Sequence, residues 1–191
     1  MTVPDQLDRR FREAAGAEGI LDVAYDLTDS PIGQLLVAAS PRGLCRVSFD
    51  PEPEREIETL ARGFGLRVLR SPGGVDRARR ELDEYFEGRR HEFDLEVDLS
   101  PLPAFQQDVL GELVRVPYGH VDTYGGLAER IGRPRAARAV GGALNRNPVP
   151  IVVPCHRIVG ASGSLVGYAG GLERKRLLLG LEGAIPQTLV D

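Results

Sequence analysis

Apolar and polar residues alternate through much of the first half of the chain and predict short strands. Segment 21–27 is apolar at every second position, as expected of a strand with one buried face. Segments 34–39 and 44–49 flank the turn-forming stretch 40–43, which has proline at its second position. These two segments therefore predict a hairpin. Segment 93–99 alternates apolar with acidic residues and predicts a further strand with one buried face.

Other segments repeat their apolar residues with the period of an amphipathic helix. Segments 54–64 and 75–87 show it in the first half, and segments 105–116 and 172–182 in the second. Segment 5–15 has the composition of a polar helix. Strands and helices alternate in the first half, whereas the second half is mainly helical, so the pattern predicts an α+β protein.

A proline-rich break at Ser100-Pro101-Leu102-Pro103 separates the two halves. We therefore predict an N-terminal α/β domain over residues 1–99, with an antiparallel hairpin sheet. The C-terminal domain is predicted over residues 100–191. No internal repeat is evident.

Two short predicted helices in the second half have the outline of a helix-turn-helix. Thr123 is a suitable N-cap for the first helix, which ends near Gly132. Pro134 is predicted to begin the second at its favoured first position. Small residues around Arg138 on this second helix would let its backbone approach another backbone closely. An ordinary helix pair packed through small residues has the same pattern.

Charge is distributed unevenly between the halves and changes this interpretation. The whole chain carries a net charge of −4, and acidic residues outnumber arginines by 21 to 14 in residues 1–100. Residues 131–157 contain five arginines and no acidic residue. A local basic surface on an acidic protein favours a polyanionic partner for the second predicted helix.

The apolar run 151–153 predicts a buried strand that ends at Pro154, because proline cannot donate to a ladder. Cys155 would then lie at the end of a rigid element. A free cysteine is most often a small buried hydrophobic residue. His156 and Arg157 follow it directly, and two neighbouring cations would favour its thiolate. Cys155 is therefore a candidate nucleophile.

Cysteine and histidine are few, which limits the other kinds of site. The chain has two cysteines and three histidines, without CxxC or HExxH spacing, so neither a disulfide framework nor a metal site is predicted. Cys45 lies on the apolar face of a predicted strand and is expected in the core. No apolar run is long enough for a membrane helix, and the first residues do not resemble a signal peptide, so a cytoplasmic location is expected.

Several motifs at fixed spacing resemble one known family. They comprise the Asn147–Arg157 block with its Pro-Cys-His-Arg centre, Tyr124, the small-residue helix 136–143, the glycine-rich 167–171 and the leucine-rich 178–182. Together they resemble the O6-alkylguanine-DNA alkyltransferases, or methylated-DNA–protein-cysteine methyltransferases. The resemblance covers residues 105–183 closely and the first half only in outline.

The resemblance implies a role for each catalytic candidate. Cys155 would accept the alkyl group from guanine O6, and His156 would act as a base through a water molecule. Glu182 would orient the imidazole, although by itself it resembles a solvated helix end. Asn147 would hold the active-site turn. Tyr124 would help to rotate the nucleotide out of the duplex.

The same resemblance implies a substrate pocket and a DNA-binding helix. Tyr168 would form a wall of the pocket, to which Ala169, Gly170 and Ile158 would also belong. The DNA-binding set follows from the helix and the active-site block. It comprises Arg138, which would enter the base stack, with Ala136, Ala137, Gly141 and Arg157.

The family has a ribonuclease-H-like α/β domain followed by a winged-helix domain, so the same fold is implied here. The implied partner is double-stranded DNA containing O6-alkylguanine, bound from the minor groove by a monomer without a cofactor. A thioether is a poor leaving group, so one turnover per molecule is expected. A cysteine hydrolase, a non-catalytic binder of alkylated guanine and a transcriptional regulator are the alternatives.

Overall fold

The computed structural model describes residue 14 and residues 19–186, which form two compact units. The N-terminal unit extends to Tyr85 and includes Asp94–Pro101, and the C-terminal unit comprises Phe86–Phe93 with the residues from Leu102 onward. Segment 86–93 therefore groups with the C-terminal unit, although it precedes the predicted boundary. The helix predicted over residues 5–15 lies outside the described residues, apart from Ala14.

The N-terminal unit contains a four-stranded sheet. Its strands are β1 (Val23–Thr28), β2 (Leu35–Ser40), β3 (Gly43–Phe49) and β4 (Val68–Arg70), in the order β3-β2-β1-β4. The predicted hairpin of β2 and β3 is confirmed, and β1 is antiparallel to β2. The parallel edge strand β4 was not predicted, because three residues are too few to show a period.

Two helices accompany this sheet. Helix α1 (Pro53–Phe64) places Leu60 in a core with Val23, Tyr25 and Cys45, so the predicted apolar face of β1 is confirmed from Val23 onward. Helix α2 (Asp76–Phe86) follows a 3₁₀ turn. Cys45 is 2% exposed, as expected of a core residue.

The strand predicted over 93–99 is wrong. This segment makes a single bridge, in which Val97 pairs with Leu44 of β3. Asp98 is its one buried residue, and its carboxylate accepts a hydrogen bond from Ser40 Oγ at 2.6 Å. The apolar positions 93, 95, 97 and 99 are half-buried, as the alternation suggested, but the fully buried side chain is an acidic one with its own polar partners.

A second buried carboxylate lies on β1. Asp26 is 4% exposed. Its two oxygens accept hydrogen bonds from Arg70 Nε at 2.7 Å and from Arg79 Nη1 at 3.0 Å. Two cations therefore compensate one buried charge, as a desolvated carboxylate requires.

The C-terminal unit is mainly helical, with a small parallel sheet. Its helices are α3 (Ala104–Leu113), α4 (Tyr124–Arg130), α5 (Ala137–Asn145) and α6 (Leu172–Leu181). Strands β5 (Asp122–Thr123) and β6 (Ile158–Val159) pair with each other. Helices α3, α4 and α5 pack on one another. No helix among the described residues is long and apolar enough to cross a membrane.

The helix-turn-helix is formed by α4 and α5, and one of its predicted ends is wrong. The Thr123 cap is confirmed, since its Oγ1 accepts a hydrogen bond from Gly126 N at 3.0 Å. Pro134 does not begin the second helix. It lies in a turn closed by Ala136 N and Arg133 O at 2.8 Å, and α5 begins only at Ala137. The loop between the two helices is therefore longer than the position of the proline suggested.

The apolar run 151–153 is buried, but the predicted strand is wrong. It forms a tight turn in which Val153 N donates to Val149 O at 2.9 Å, and Ile151 has φ 76°. A β-branched residue seldom adopts this left-handed conformation, so its neighbours must hold it there. Cys155–Arg157 then forms a 3₁₀ turn that leads into β6.

Candidate active site

The turn before Cys155 is closed by the side chain of Asn147. Asn147 Oδ1 accepts from Val149 N at 3.0 Å, and Nδ2 donates to Val153 O at 2.8 Å. The same Nδ2 lies 3.2 Å from Cys155 Sγ and donates to it. A side-chain amide thus replaces strand pairing here and directs a donor at the sulfur.

Cys155 lies at the wall of a cavity of about 300 Å³ in the C-terminal unit. The cysteine is 6% exposed, so its sulfur is almost fully removed from solvent. The wall combines aromatic, small and aliphatic residues from α4, α5 and the loop before α6. They are Tyr124, Gly141, Leu144, Asn145, Val166, Gly167, Tyr168 and Ala169, together with Cys155.

Burial raises the pKa of the Cys155 thiol to about 11. The hydrogen bond from Asn147 and the positive charge of Lys175 both act to lower this pKa, but burial outweighs them. The thiolate expected beside His156 and Arg157 is therefore not favoured, because burial penalises the charged sulfur more than its neighbours stabilise it. A thiol with this pKa is mainly protonated at neutral pH.

His156, Glu182 and Arg157 form a buried polar cluster next to the cysteine. Glu182 Oε1 lies 2.8 Å from His156 Nε2 and accepts from Arg157 Nη2 at 2.9 Å. Glu182 Oε2 accepts from Arg157 Nε at 2.8 Å. His156 is fully buried and Glu182 is 5% exposed. Glu182 is thus an internal carboxylate with two side-chain partners, so it is not a solvated helix end.

Burial and hydrogen bonding act in opposite directions on the pKa values of Glu182 and His156. Burial acts to raise the pKa of Glu182, but hydrogen bonds from His156 and Arg157 outweigh it and hold the pKa at about 2. Burial lowers the pKa of His156, against the opposing effect of Glu182. A neutral imidazole that donates Nε2–H to the carboxylate leaves Nδ1 as an acceptor. Within the described part of the chain, Nδ1 has no hydrogen-bond partner.

Lys175 belongs to the site and was missed by the sequence analysis. It is fully buried, and its Nζ donates to Ile158 O at 2.5 Å and to Val166 O at 2.8 Å. Burial lowers the pKa of Lys175 to about 8, against the opposing effect of Cys155. Lys175 lies among the charged residues Glu173, Arg174 and Arg176 at the start of its helix, so the sequence gave no signal that it alone is fully buried.

The loop before α6 forms one wall of the cavity and is bound from two sides. Tyr124 Oη donates to Val166 O at 3.1 Å and to Gly167 O at 3.3 Å. Lys175 binds the same two carbonyls. Tyr168, which this loop carries, is largely buried, and burial raises its pKa well above the usual value for tyrosine. The loop therefore has a defined position.

The structure separates the predicted pocket residues into two groups. Tyr168 and Ala169 line the cavity, whereas Ile158 and Gly170 do not. Ile158 is fully buried, and its carbonyl binds Lys175. Ile158 therefore supports the site through its hydrogen bond with Lys175 and does not line the cavity.

The predicted DNA-binding residues also fall into two groups, one at least partly exposed on or beside α5 and one buried. Arg138 is exposed on α5, with Ala136 and Ala137 partly exposed next to it, and Gly141 lies on the cavity side. Arg157 is a correction: it is 5% exposed, is paired with Glu182 and donates Nη1–H to Val116 O at 2.7 Å. Its guanidinium is not available at a surface. Its charge serves the buried carboxylate instead.

No group of three or more metal-ligating side chains occurs among the described residues. The site contains thiol, imidazole, carboxylate, amide and ammonium groups. These groups match a nucleophile with a base, an orienting carboxylate and supporting cations.

Comparisons with known proteins identify the family. The model of the 6-O-methylguanine DNA methyltransferase DNA-binding domain matches residues 104–184, and that of the ribonuclease-like domain of the same family matches residues 23–99. This chain belongs to the methylated-DNA–protein-cysteine methyltransferase family. The two-domain fold implied by the resemblance is confirmed by these matches.

Relatives in the methylated-DNA–protein-cysteine methyltransferase family resemble most of the chain. A Mycobacterium tuberculosis member is 43% identical over 160 residues, which are 84% of this chain and 92% of the relative. A Methanosarcina acetivorans member is 43% identical over 161 residues, 84% of this chain and 98% of the relative. A crystal structure of Mycobacterium tuberculosis OGT in complex with DNA aligns with a TM-score of 0.75 at 42% identity, covering 87% of this chain and 98% of the other.

Proposed function

We propose that this protein repairs DNA by transferring the alkyl group of O6-alkylguanine to Cys155. The observation that supports it best is the position of Cys155 Sγ. It faces a cavity walled by Tyr124 and Tyr168, with the Asn147 donor at 3.2 Å, and the next residue, His156, is paired with Glu182. Family membership supports the same reaction and makes DNA the partner.

The proposed reaction is a single displacement at the alkyl carbon. The thiol of Cys155 loses its proton, its sulfur forms a bond to the alkyl carbon, and the bond from that carbon to O6 breaks. The guanine leaving group gains one proton, so a thiol and an O-alkylguanine become a thioether and guanine. No other reactant is needed.

His156 is the proposed base. Its Nδ1 has no partner in the described part of the chain, and Glu182 holds the opposite nitrogen. A water molecule between Cys155 and Nδ1 would carry the thiol proton, since adjacent residues do not hydrogen-bond directly here. A thiol with a pKa of about 11 needs this help at neutral pH. Asn147 and Lys175 then stabilise the sulfur as its charge develops.

The reaction is proposed to occur once per molecule. A thioether carries no proton and is a poor leaving group, and the proposed reaction supplies no acceptor for the alkyl group. Each molecule of protein would therefore repair one base and remain alkylated. Stoichiometry, and not turnover number, is the quantity to measure.

We propose that DNA binds along α5 from its minor groove, to a monomer acting in the cytoplasm. Arg138 is exposed on this helix beside small residues, which permit close approach. The alkyl carbon inside a duplex is out of reach of a protein sulfur, so the base must be flipped into the cavity. Arg138 would occupy the space that the base leaves.

The test of alkyl transfer is mass spectrometry of the protein after incubation with a duplex containing O6-methylguanine. One methyl group is expected on the peptide that contains Cys155, in an amount equal to the protein. The peptide with Cys45 serves as an internal control and should stay unmodified. An unmethylated Cys155 peptide would refute the proposed function.

The role of Arg138 is tested separately with Arg138→Ala. Its reaction with methylated duplex should slow by ten-fold or more, whereas its reaction with free O6-benzylguanine should change little. Arg115→Ala is the matched control, because Arg115 is also well exposed but lies in the turn after α3, away from α5 in the sequence. Equal losses on duplex and free base would contradict insertion into the stack.

A further inference from the structure

The turn Pro117-Tyr118-Gly119, between α3 and β5, binds the end of α6 at two points. Tyr118 Oη donates to Leu181 O at 3.0 Å, and Gly119 N donates to Glu182 Oε2 at 3.4 Å. The carbonyls of the last helical turn have no partner inside the helix, so an external donor fixes their position. One turn thus holds both the backbone before Glu182 and its carboxylate.

The approach of this turn to Glu182 is close enough to require glycine. Gly119 has φ 75°, and a β-carbon there would lie 3.1 Å from Glu182 O. A side chain at this position would combine backbone strain with a tight contact. Glycine at position 119 therefore allows the turn that carries Tyr118 to lie close to Glu182.

The ring of Tyr118 contacts the other partner of Glu182. The guanidinium carbon of Arg157 lies 5.8 Å from the ring centroid, within the range of a cation–π interaction. Arg157 also donates to Val116 O at 2.7 Å, two residues before Tyr118. The segment from Val116 to Gly119 therefore contacts both the carboxylate and its arginine.

His91 covers the ring of Tyr118. The two rings are stacked, with centroids 4.1 Å apart and planes 19° apart. His91 belongs to segment 86–93, which groups with the C-terminal unit. An exposed ring stacked on Tyr118 restricts its rotation, and an aromatic pair adds to the stability of that orientation.

We propose that Tyr118 is a positioning residue for alkyl transfer, which it supports by fixing Glu182 and Arg157, with His91 restricting its ring. The proposal rests on the proposed function. Tyr118 does not line the cavity, so it acts through Glu182, which orients His156. Small displacements of an orienting carboxylate reduce the efficiency of the base that it holds.

The main test is Tyr118→Phe, which removes the hydroxyl and keeps the ring. The rate constant of methyl transfer should fall roughly three- to ten-fold on duplex and on free O6-benzylguanine alike, as expected for one lost hydrogen bond. The dissociation constant for DNA should not change. Tyr25→Phe is the matched control, because Tyr25 lies in the core of the N-terminal unit. It should leave the rate unchanged.

A spectroscopic signal separates positioning from general stability. The Nε2–H proton of His156, hydrogen-bonded to Glu182, should give a downfield proton resonance in the wild type. This resonance should move upfield in Tyr118→Phe. An unchanged rate, or a slower rate with an unmoved resonance, would overturn the proposal. A wild type that transfers no methyl group would instead refute the proposed function.

His91 offers a second, milder test. His91→Ala removes the stacked ring and should slow methyl transfer roughly two-fold, whereas His91→Phe keeps a ring and should restore the wild-type rate. Equal rates for all three proteins would overturn the role given to His91. A loss in His91→Phe equal to that in His91→Ala would also overturn it, because the stack would then not be the cause.

Discussion

The two cysteines of this chain are both buried and both difficult to ionise, yet only one faces a cavity. Cys45 is 2% exposed, donates to Ala38 O at 3.4 Å and has a pKa raised by burial to about 12. Cys155 is 6% exposed, accepts a hydrogen bond from Asn147 and has a pKa of about 11. Their pKa values are close, so ionisation does not distinguish them. The two cysteines differ instead in whether they face a cavity and in whether a hydrogen-bond donor points at the sulfur.

The two units also differ in how they use a buried carboxylate. Asp26 in the N-terminal unit is compensated by two arginines and serves the sheet on which it lies. Glu182 in the C-terminal unit has one arginine and one histidine, so one of its partners can accept a proton. Replacing one cation with an imidazole changes a structural ion pair into a cluster that can support proton transfer.

The largest expected difference in methyl transfer is between the two variants in which one cysteine is replaced with serine. Cys155→Ser should abolish methyl transfer, because a serine hydroxyl is far less acidic and nucleophilic than a thiol. Cys45→Ser should retain transfer and lower the melting temperature, since it places a hydroxyl in the apolar core. Labelled-methyl incorporation and thermal unfolding measure the two effects. Transfer to the Cys155→Ser protein would remove the distinction between the two cysteines.

The next effect is the pH dependence of modification by a small alkylating reagent such as iodoacetamide. Below a thiol pKa of about 11, the thiolate fraction of Cys155 rises about ten-fold per pH unit. The rate at Cys155 should therefore increase by about a thousand-fold between pH 7 and pH 10. Cys45 should stay unreactive until urea unfolds the chain. A rate at Cys155 that is constant over this range would show that its thiol is already ionised.

Replacing the two buried carboxylates by amides should separate their roles. Glu182→Gln should slow methyl transfer by about 10- to 100-fold, as is usual for a lost orienting group. Asp26→Asn should leave the rate within about two-fold while lowering stability, because the buried carboxylate that pairs with Arg70 and Arg79 is lost. Stopped-flow transfer rates and urea unfolding distinguish these outcomes. Equal losses of rate in both variants would make Glu182 no more than structural.

The pKa of Glu182 adds a pH dependence to the same experiment. Its folded pKa of about 2 lies below the unfolded value of about 4.3, so the unfolded chain binds more protons between these values. The stabilisation is complete above pH 4.3 and is lost as the pH falls towards 2. The slope of the unfolding free energy over this window should be smaller in Glu182→Gln than in the wild type.

The smallest effect is expected from Lys175→Met, which keeps the length of the side chain and removes its charge and donors. Methyl transfer should slow roughly five- to ten-fold, because the carbonyls of Ile158 and Val166 lose a donor and the sulfur loses a nearby positive charge. Arg176→Met is the control, because Arg176 is exposed on the same helix. An unchanged rate would limit Lys175 to folding.

The sequence predicted most elements in which a period extended over several turns or residues, and segment 93–99 is the exception. Helices α1 and α6 and strands β1 to β3 follow from apolar spacing, and Thr123 follows from its capping chemistry. The turn at residues 151–153 did not, because its apolar residues are buried in the same way as a strand. Its shape depends on the side chain of Asn147, a contact that periodicity does not describe.

The site was predictable in composition but less so in its electrostatics. Motif resemblance indicated Cys155, His156 and Glu182 and the wall residue Tyr168. Arg157 was predicted to bind DNA, because the sequence shows that this residue is charged but does not show that it is buried. Lys175 was missed for the converse reason, since its helix carries charged residues on its exposed side as well. Both errors concern which way a cation faces, which depends on tertiary packing.

The burial of Lys175 has a practical consequence for labelling. It is the only lysine in the sequence, and its Nζ is covered by the wall of the cavity. An amine-acylating reagent would therefore reach this side chain only when the wall opens, and acylation of the peptide that contains Lys175, followed over time, would measure that opening. Comparing alkylated with unmodified protein in such an assay would show whether an alkyl group on Cys155 makes the loop that covers Lys175 open more often.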